Sequence, residues 1–143
     1  MTDDLEEEGV EVSYSVSFRL MAKDLDPKEI SQLLGMSPDD AHKRGDPNWG
    51  KQGRRYSDFS EGLWSLASDV SRDEPPAVHV KDITDRLAGC AEALDTLRLR
   101  GYRMDIFIGV FGLEGNSGFA LPAEVCEVVG RLGIALDFDL YSC

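Results

Sequence analysis

The pattern of hydrophobic and polar positions is clearest near the start of the chain. Over the eleven residues 10–20, an apolar residue stands at every second position, with Glu, Ser and Arg between them. A period of two is typical of a β-strand with one buried face and one face in water. The sequence therefore predicts a first strand here.

A short helix is predicted directly after this strand. Asp26 is placed to cap it, Pro27 suits its first turn, and Glu29 completes a capping box. Gly35 is placed to end it after about nine residues, a length that is not stable alone. We therefore expect it to dock on the apolar face of the strand through Ile30, Leu33 and Leu34.

The middle of the chain mixes turn signals with short apolar runs. An extended piece is predicted near residues 40–43, and residues 45–53 are predicted to be a loop because they hold three glycines and a proline. Residues 63–68 predict a strand, and residues 69–76 predict a polar connection.

The second half begins with a helical pattern. Over residues 78–100 apolar residues step by three or four, Gly89 marks a kink or a break between two helices, and Gly101 supplies the stop. The nearly continuous apolar run over residues 104–111 is expected of an interior strand.

A helix and a last strand close the pattern. The helix is predicted over residues 122–131, and the strand over residues 134–141 alternates again. Its inward side chains are expected to be Ile134, Leu136, Phe138 and Leu140. The order of elements predicts an α+β fold, specifically a ferredoxin-like (split βαβ) sandwich with an added C-terminal helix–strand.

Composition and charge narrow the class of protein. The 143 residues are 42% apolar and carry 15 Lys and Arg against 27 Asp and Glu, a net charge of −12. Residues 10–143 are long enough for a single α+β domain, and residues 1–9 are expected to be a disordered acidic tail. No apolar run has the length of a membrane span, and the first residues of the sequence predict no secretory signal.

The three cysteines are far apart, which favours a reducing, cytoplasmic location. Cys90 and Cys126 are expected to be core residues, and Cys143 to be exposed. Neither of the two histidines, His42 and His79, lies three or four residues from a cysteine or another histidine, as a zinc site would require. The sequence accordingly predicts no catalytic residues, no metal site and no cofactor.

The charge is unevenly distributed. Residues 1–8 hold five acids and no base, residues 43–55 carry +4, and the remainder carries about −11. The basic loop mixes cations with aromatic side chains, and its candidate binding residues are Arg44, Trp49, Lys51, Arg54, Arg55 and Tyr56.

Three interpretations of the basic loop remain open. It binds nucleic acid, which the net negative charge disfavours; it binds a small anionic ligand; or its cations pair with the acidic body and hold the loop down. Trp49 is in addition a candidate anchor of a protein interface.

Asp137 and Asp139 form a second candidate binding group. Alternate residues of a strand project to the same side, so their carboxylates are expected about 7 Å apart on one face. A solvated strand face and an edge that meets a partner are both consistent with this pattern.

Small structural motifs give the chain a family resemblance. They are Phe18 near the end of a strand, Asp26-Pro27, Ile30, Leu34-Gly35, Pro38, Gly45, Trp64-Ser65-Leu66, Leu132-Gly133 and Asp139-Leu140-Tyr141. Through these motifs, residues 12–141 resemble the bacterial domain-of-unknown-function family numbered 4279. Some relatives of this kind look like immunity proteins encoded beside secreted toxins, so the resemblance implies a small cytoplasmic binder and no catalytic residues.

Two hypotheses of function follow. The first is a non-catalytic cytoplasmic binding protein, an immunity-type inhibitor whose partner is a cationic toxin or a similar protein. The alternative is a sensor or enzyme that binds a nucleotide or phosphorylated metabolite at residues 43–55. No membrane partner is expected, and the sequence does not set the oligomeric state.

Overall fold

Residues 12–113 and 118–142 are described by a computed structural model of the protein. The predicted acidic tail, residues 1–9, lies outside the described residues, as does Cys143. The elements are, in chain order, β1 (Ser13–Ala22), α1 (Pro27–Leu34), β2 (Asp40–His42), β3 (Asn48–Trp49), β4 (Arg55–Tyr56), β5 (Gly62–Ala67), α2 (Pro76–Leu87), α3 (Ala91–Leu99), β6 (Arg103–Leu113), α4 (Ala123–Arg131) and β7 (Ala135–Ser142).

Five of the strands form one mixed sheet in the order β2-β5-β1-β6-β7. Its neighbouring strands are antiparallel, except for β6 and β7, which run parallel. The strands β3 and β4 form a separate antiparallel pair. The architecture is therefore mixed α+β, and the alternating first strand lies at the centre of the sheet.

The helices and one face of the sheet enclose the hydrophobic core. In β1 the even-numbered residues Val16, Phe18 and Leu20 are buried, while the intervening serines and Arg19 lie on the other face. The predicted stripe of the long helical stretch is buried over its whole length: Val80, Ile83, Leu87, Cys90, Leu94 and Leu97. We call the sheet face that bears Arg19 the open face.

The helix α1 is capped largely as predicted. The Asp26 carboxylate accepts a hydrogen bond from the backbone N–H of Lys28 (3.2 Å), and Gly35 ends the helix at φ 70°. The predicted capping box is wrong, because the Glu29 carboxylate accepts a hydrogen bond from Arg100 (3.1 Å) at the end of α3. Leu33 was expected to be buried, but it is exposed.

Of the two alternatives expected at Gly89, a kink or a break between two helices, the structure shows the break. A single 3₁₀ turn, Ala88–Cys90, separates α2 from α3, so the apolar stripe follows two consecutive helices. Gly101 ends α3 with φ 90°, a conformation that favours glycine.

Two glycines provide a matched test of packing. We expect Gly62→Ala to lower the free energy of unfolding by about 1–3 kcal/mol, because overpacking at a rigid site has that cost. A Cβ at Gly62 would lie 2.8 Å from both the Cβ and the carbonyl oxygen of Leu25. Urea denaturation of the purified variant measures the change.

Gly89→Ala is the control for this substitution. A Cβ at Gly89 meets no described atom within 4 Å, and Gly89 is not at positive φ. We expect a gain of about 0.4–1 kcal/mol, because alanine restricts the unfolded chain. A Gly62→Ala protein as stable as the Gly89→Ala protein would contradict the packing described for Leu25.

Candidate functional site

The basic loop folds into a short β-hairpin, which the sequence did not predict. Asn48 pairs with Tyr56, Trp49 pairs with Arg55, and the 3₁₀ turn Lys51–Gly53 connects the two strands. We call residues 48–56 the hairpin. Since each strand has only two residues, there is too little alternation for a sequence pattern to reveal them.

The hairpin brings together five of the predicted binding residues. The Arg55 guanidinium lies over the Trp49 ring at 5.1 Å, and the Arg54 guanidinium lies over the Tyr56 ring at 5.6 Å. Both aromatic side chains are exposed, as is Lys51. The sixth residue, Arg44, lies between β2 and the hairpin.

Two of these cations form ion pairs. Arg55 contacts Asp58 at 2.5 Å, and Arg44 contacts Asp24 at 3.6 Å. Lys51 and Arg54 form no ion pair within the described residues. The interpretation that ion pairs hold the loop down therefore applies to Arg44 and Arg55 alone.

Near the hairpin, the structure adds a lysine that the sequence analysis missed. Lys28 of α1 and Lys43 line a shallow cavity of about 420 Å³ together with Asp26 and Asp46. The two lysines and the two acids balance, so this cavity has no net positive charge. The fold places the start of α1 beside β2, which brings these distant residues together.

The open face carries an ion pair that the sequence analysis also missed. Arg19 of β1 binds Asp105 of β6 through two hydrogen bonds of 2.9 and 2.7 Å, and Asp105 is buried. The guanidinium also lies 4.4 Å above the Phe107 ring and 3.6 Å from Asp137. The hydrogen bond with Asp105 raises the pKa of Arg19, so its positive charge is fixed.

Asp137 and Asp139 lie on β7, at the edge of the open face. Asp137 is exposed, Asp139 is half-buried, and the Tyr141 hydroxyl donates a hydrogen bond to Asp139. This hydrogen bond raises the pKa of Tyr141. The Tyr141 ring in turn stacks on Phe111 of β6, with 4.6 Å between the ring centroids.

Part of the burial predicted for β7 is wrong. Ile134 is buried and Leu136 is partly buried, but Phe138 and Leu140 are exposed. β7 is an edge strand, and its outer side has no neighbouring strand within the described residues. An alternating pattern fixes which side chains share a face, but it does not show how far that face is covered.

The two candidate binding groups do not form one site. The hairpin follows β2, which is one edge strand of the sheet, and β7 is the other edge strand. Four strand spacings separate these edges, which corresponds to about 19 Å. The basic and acidic residues therefore belong to two surfaces.

The two described cysteines differ in environment. Cys90 is buried as predicted, and burial raises the pKa of its thiol. Cys126 was expected in the core and is exposed, because Val129 is the residue of α4 that is buried in the core.

His79 is a buried polar group on the core side of α2. Its Nδ1 lies 2.5 Å from the Ser68 hydroxyl, and its Nε2 has no hydrogen-bond partner within the described residues. Burial lowers the pKa of the imidazole, and this effect outweighs the backbone carbonyls and carboxylates nearby, which raise it. The neutral form is therefore the one that the fold favours.

This burial predicts a dependence of stability on pH. The unfolded chain binds a proton at His79 near pH 6.5, whereas the folded protein binds it only at lower pH. The free energy of unfolding should therefore fall as the pH is lowered from about 7 through the unfolded-state pKa of this histidine. Urea denaturation at several pH values measures the slope, and a His79→Gln variant with an unchanged slope would contradict the assignment.

The described residues hold neither a cluster of metal ligands nor a membrane-spanning helix. Among residues 12–113 and 118–142, no three His, Cys, Asp or Glu side chains are grouped to hold a metal ion. Within the same residues, every helix is too short or too polar to cross a membrane.

No curated protein and no solved structure matches the chain. Residues 12–143 match the family described as "Domain of unknown function (DUF4279)", which covers nearly the whole chain. The protein therefore belongs to the DUF4279 family, whose function is uncharacterised.

Proposed function

We propose that this protein is a non-catalytic binding protein, and specifically an immunity-type inhibitor of a cognate toxin with a cationic surface. The observation that carries the proposal is β7, where exposed apolar side chains alternate with Asp137 and Asp139 at the edge of the sheet. Exposed apolar residues grouped on one element are typical of an interaction surface. The two acids give that surface a preference for basic partners.

The net charge of −12 supports a basic partner. Negative charge over a whole protein accelerates its encounter with a cationic surface and repels nucleic acid. Most of the described arginines already pair with acids of this chain, for example Arg98 with Asp95 and Arg131 with Glu127. Excess acidic groups therefore remain for a partner.

The proposal includes a fold and a location. The antiparallel strand order β2-β5-β1-β6 supports a ferredoxin-like (split βαβ) sandwich, to which α4 and β7 would add one parallel strand. The cytoplasmic location rests on the widely spaced cysteines, which suit a reducing compartment.

Co-expression tests the inhibitor function. The protein is produced with each toxin-like protein encoded beside its gene, and growth and complex formation are measured. We expect one basic toxin to be neutralised and to form a stoichiometric complex with the purified protein. Growth arrest by every neighbouring toxin, with no complex formed, would overturn the proposal.

The hairpin supports a second candidate function, the binding of a small anionic ligand such as a nucleotide. Its support is the pairing of each exposed aromatic ring, Trp49 and Tyr56, with an arginine. A thermal-shift screen with nucleotides and phosphorylated metabolites tests it. A rise in Tm should be lost in Arg54→Ala and kept in Arg131→Ala, whose arginine lies on α4. A screen in which no compound raises Tm would exclude this function.

A further inference from the structure

We infer that the outer edge of β7 binds an extended basic segment of the partner as an added β-strand. This inference rests on the proposed function and deepens it, because it names the surface and the form in which the partner binds.

The edge itself offers a template for pairing. Within the described part of the chain, β7 pairs with β6 on one side and with no strand on the other. Its eight residues extend over about 26 Å, and the outward backbone N–H and C=O groups have no strand partner. A peptide that adds a strand satisfies these groups, as in other cases of β-strand addition.

The side chains of β7 determine which types of residue the added strand needs. Asp137 and Asp139 lie on the open face, and Phe138 and Leu140 lie on the opposite face, where Phe138 stacks on Phe119 at 6.0 Å. Cross-strand neighbours of opposite charge stabilise a sheet, as do apolar pairs. The matching segment therefore alternates Lys or Arg with apolar residues.

The acidic pair argues against a second copy of this chain as the occupant. In an antiparallel two-fold pairing centred on Phe138, Asp137 of one copy lies opposite Asp139 of the other. When the pairing is centred on Asp139, Asp139 of one copy lies opposite Asp139 of the other. Like charges directly opposite each other destabilise a strand pair, so these registers are disfavoured and a basic strand is preferred.

The acidic side chains are held in place before a partner binds. Asp137 lies 3.6 Å from Arg19, and Asp139 accepts the hydrogen bond from Tyr141, whose ring is stacked on Phe111. Asp137 nevertheless keeps 61% of its side chain exposed. Groups that are already ordered lose less conformational entropy on binding, which favours affinity.

A synthetic peptide tests the inference on the full-length protein without the natural partner. The probe is a blocked peptide in which lysine and valine alternate, and its control is the same peptide methylated at every backbone nitrogen. Both have the same charge, but only the first donates backbone hydrogen bonds. We expect it to bind at least about ten-fold more tightly in calorimetry, since several donors contribute. Amide hydrogen exchange should slow at residues 135–142.

Two leucines supply matched protein variants. Leu140 on β7 is 60% exposed, and Leu99 at the end of α3 is 90% exposed, so Leu140→Lys and Leu99→Lys add the same charge at tolerant positions. We expect Leu140→Lys to weaken peptide binding about ten-fold and Leu99→Lys to change it less than about two-fold.

A second variant tests the edge independently of Leu140. The double substitution Asp137→Asn with Asp139→Asn should weaken peptide binding and allow self-association, which sedimentation equilibrium detects. Equal affinity for the two peptides, equal effects of the two lysine variants, or protection of amides away from β7 would each overturn the inference.

The two proposals fail in different ways. A toxin that is neutralised equally well by wild type and by Leu140→Lys would leave the inhibitor function standing and overturn the edge as its site. Peptide addition to β7 together with neutralisation of no toxin would support the edge and overturn the inhibitor function.

Discussion

Replacing Trp64 by alanine is expected to lower the free energy of unfolding by about 3–5 kcal/mol, the usual cost of deleting a buried aromatic side chain. Trp64 of β5 is fully buried, and its ring meets Phe18 edge-on at 6.4 Å between centroids. Its Nε1–H donates a hydrogen bond to the Ser31 hydroxyl of α1 (3.1 Å). The side chain thus joins the sheet to the first helix.

The other tryptophan is the control. Trp49 on the hairpin is 62% exposed, and the Arg55 guanidinium lies over its ring. We expect Trp49→Ala to cost less than about 1 kcal/mol, because an exposed cation–π contact contributes no more. Each variant retains one of the two tryptophans, so fluorescence during urea denaturation reports on both.

A milder variant covers the case in which Trp64→Ala does not fold. Trp64→Phe keeps an aromatic ring but removes the hydrogen bond to Ser31 and part of the side-chain volume, and we expect an intermediate loss. Equal losses in Trp49→Ala and Trp64→Ala would contradict the placement of Trp64 in the core.

Much of the fold could be predicted because local patterns determine it. The alternation in β1 assigns Phe18 and Leu20 to the core, since strand side chains have a period of two. The helix of residues 27–34 is indicated by a cap and a terminal glycine, which act within one turn. Gly89 interrupts the second helical stripe where the structure places a 3₁₀ turn.

The errors concern contacts between distant parts of the chain. Glu29 suited a capping box, but Arg100 is 71 positions away and competes for its carboxylate. Leu140 and Cys126 stand at positions where the sequence pattern predicts burial. Both are exposed, because no element of the described residues covers them. Burial depends on the neighbouring elements, and periodicity carries no information about these.

The same difference between local patterns and distant contacts applies to the candidate sites. The basic and aromatic residues of the hairpin are close in sequence, so their grouping could be predicted from composition. The pair of Arg19 and Asp105 could not, because the two residues are 86 positions apart. One signal was available: Asp105 is the only charge in the otherwise apolar run of residues 104–111, and a buried charge requires a partner.

The Arg19–Asp105 pair allows a second test of large expected effect. We expect Asp105→Ala to lower the free energy of unfolding by about 2 kcal/mol, less than the 3–5 kcal/mol for a fully buried pair. Arg19 keeps 28% of its side chain exposed and retains Asp137 and the Phe107 ring as partners, so its charge is only partly uncompensated. Urea denaturation measures the loss.

An exposed ion pair provides the control, because it measures the general cost of replacing an acidic residue by alanine. Asp85 pairs with Lys81 on the surface of α2 at 2.8 Å, and Asp85→Ala should leave stability close to that of wild type, since water already screens the pair. If both substitutions have the same small effect, Asp105 does not stabilise the open face. If Asp105→Ala costs more and the apolar pair Arg19→Met with Asp105→Leu restores stability, the loss comes from the partly uncompensated charge of Arg19, as expected for a partly buried pair.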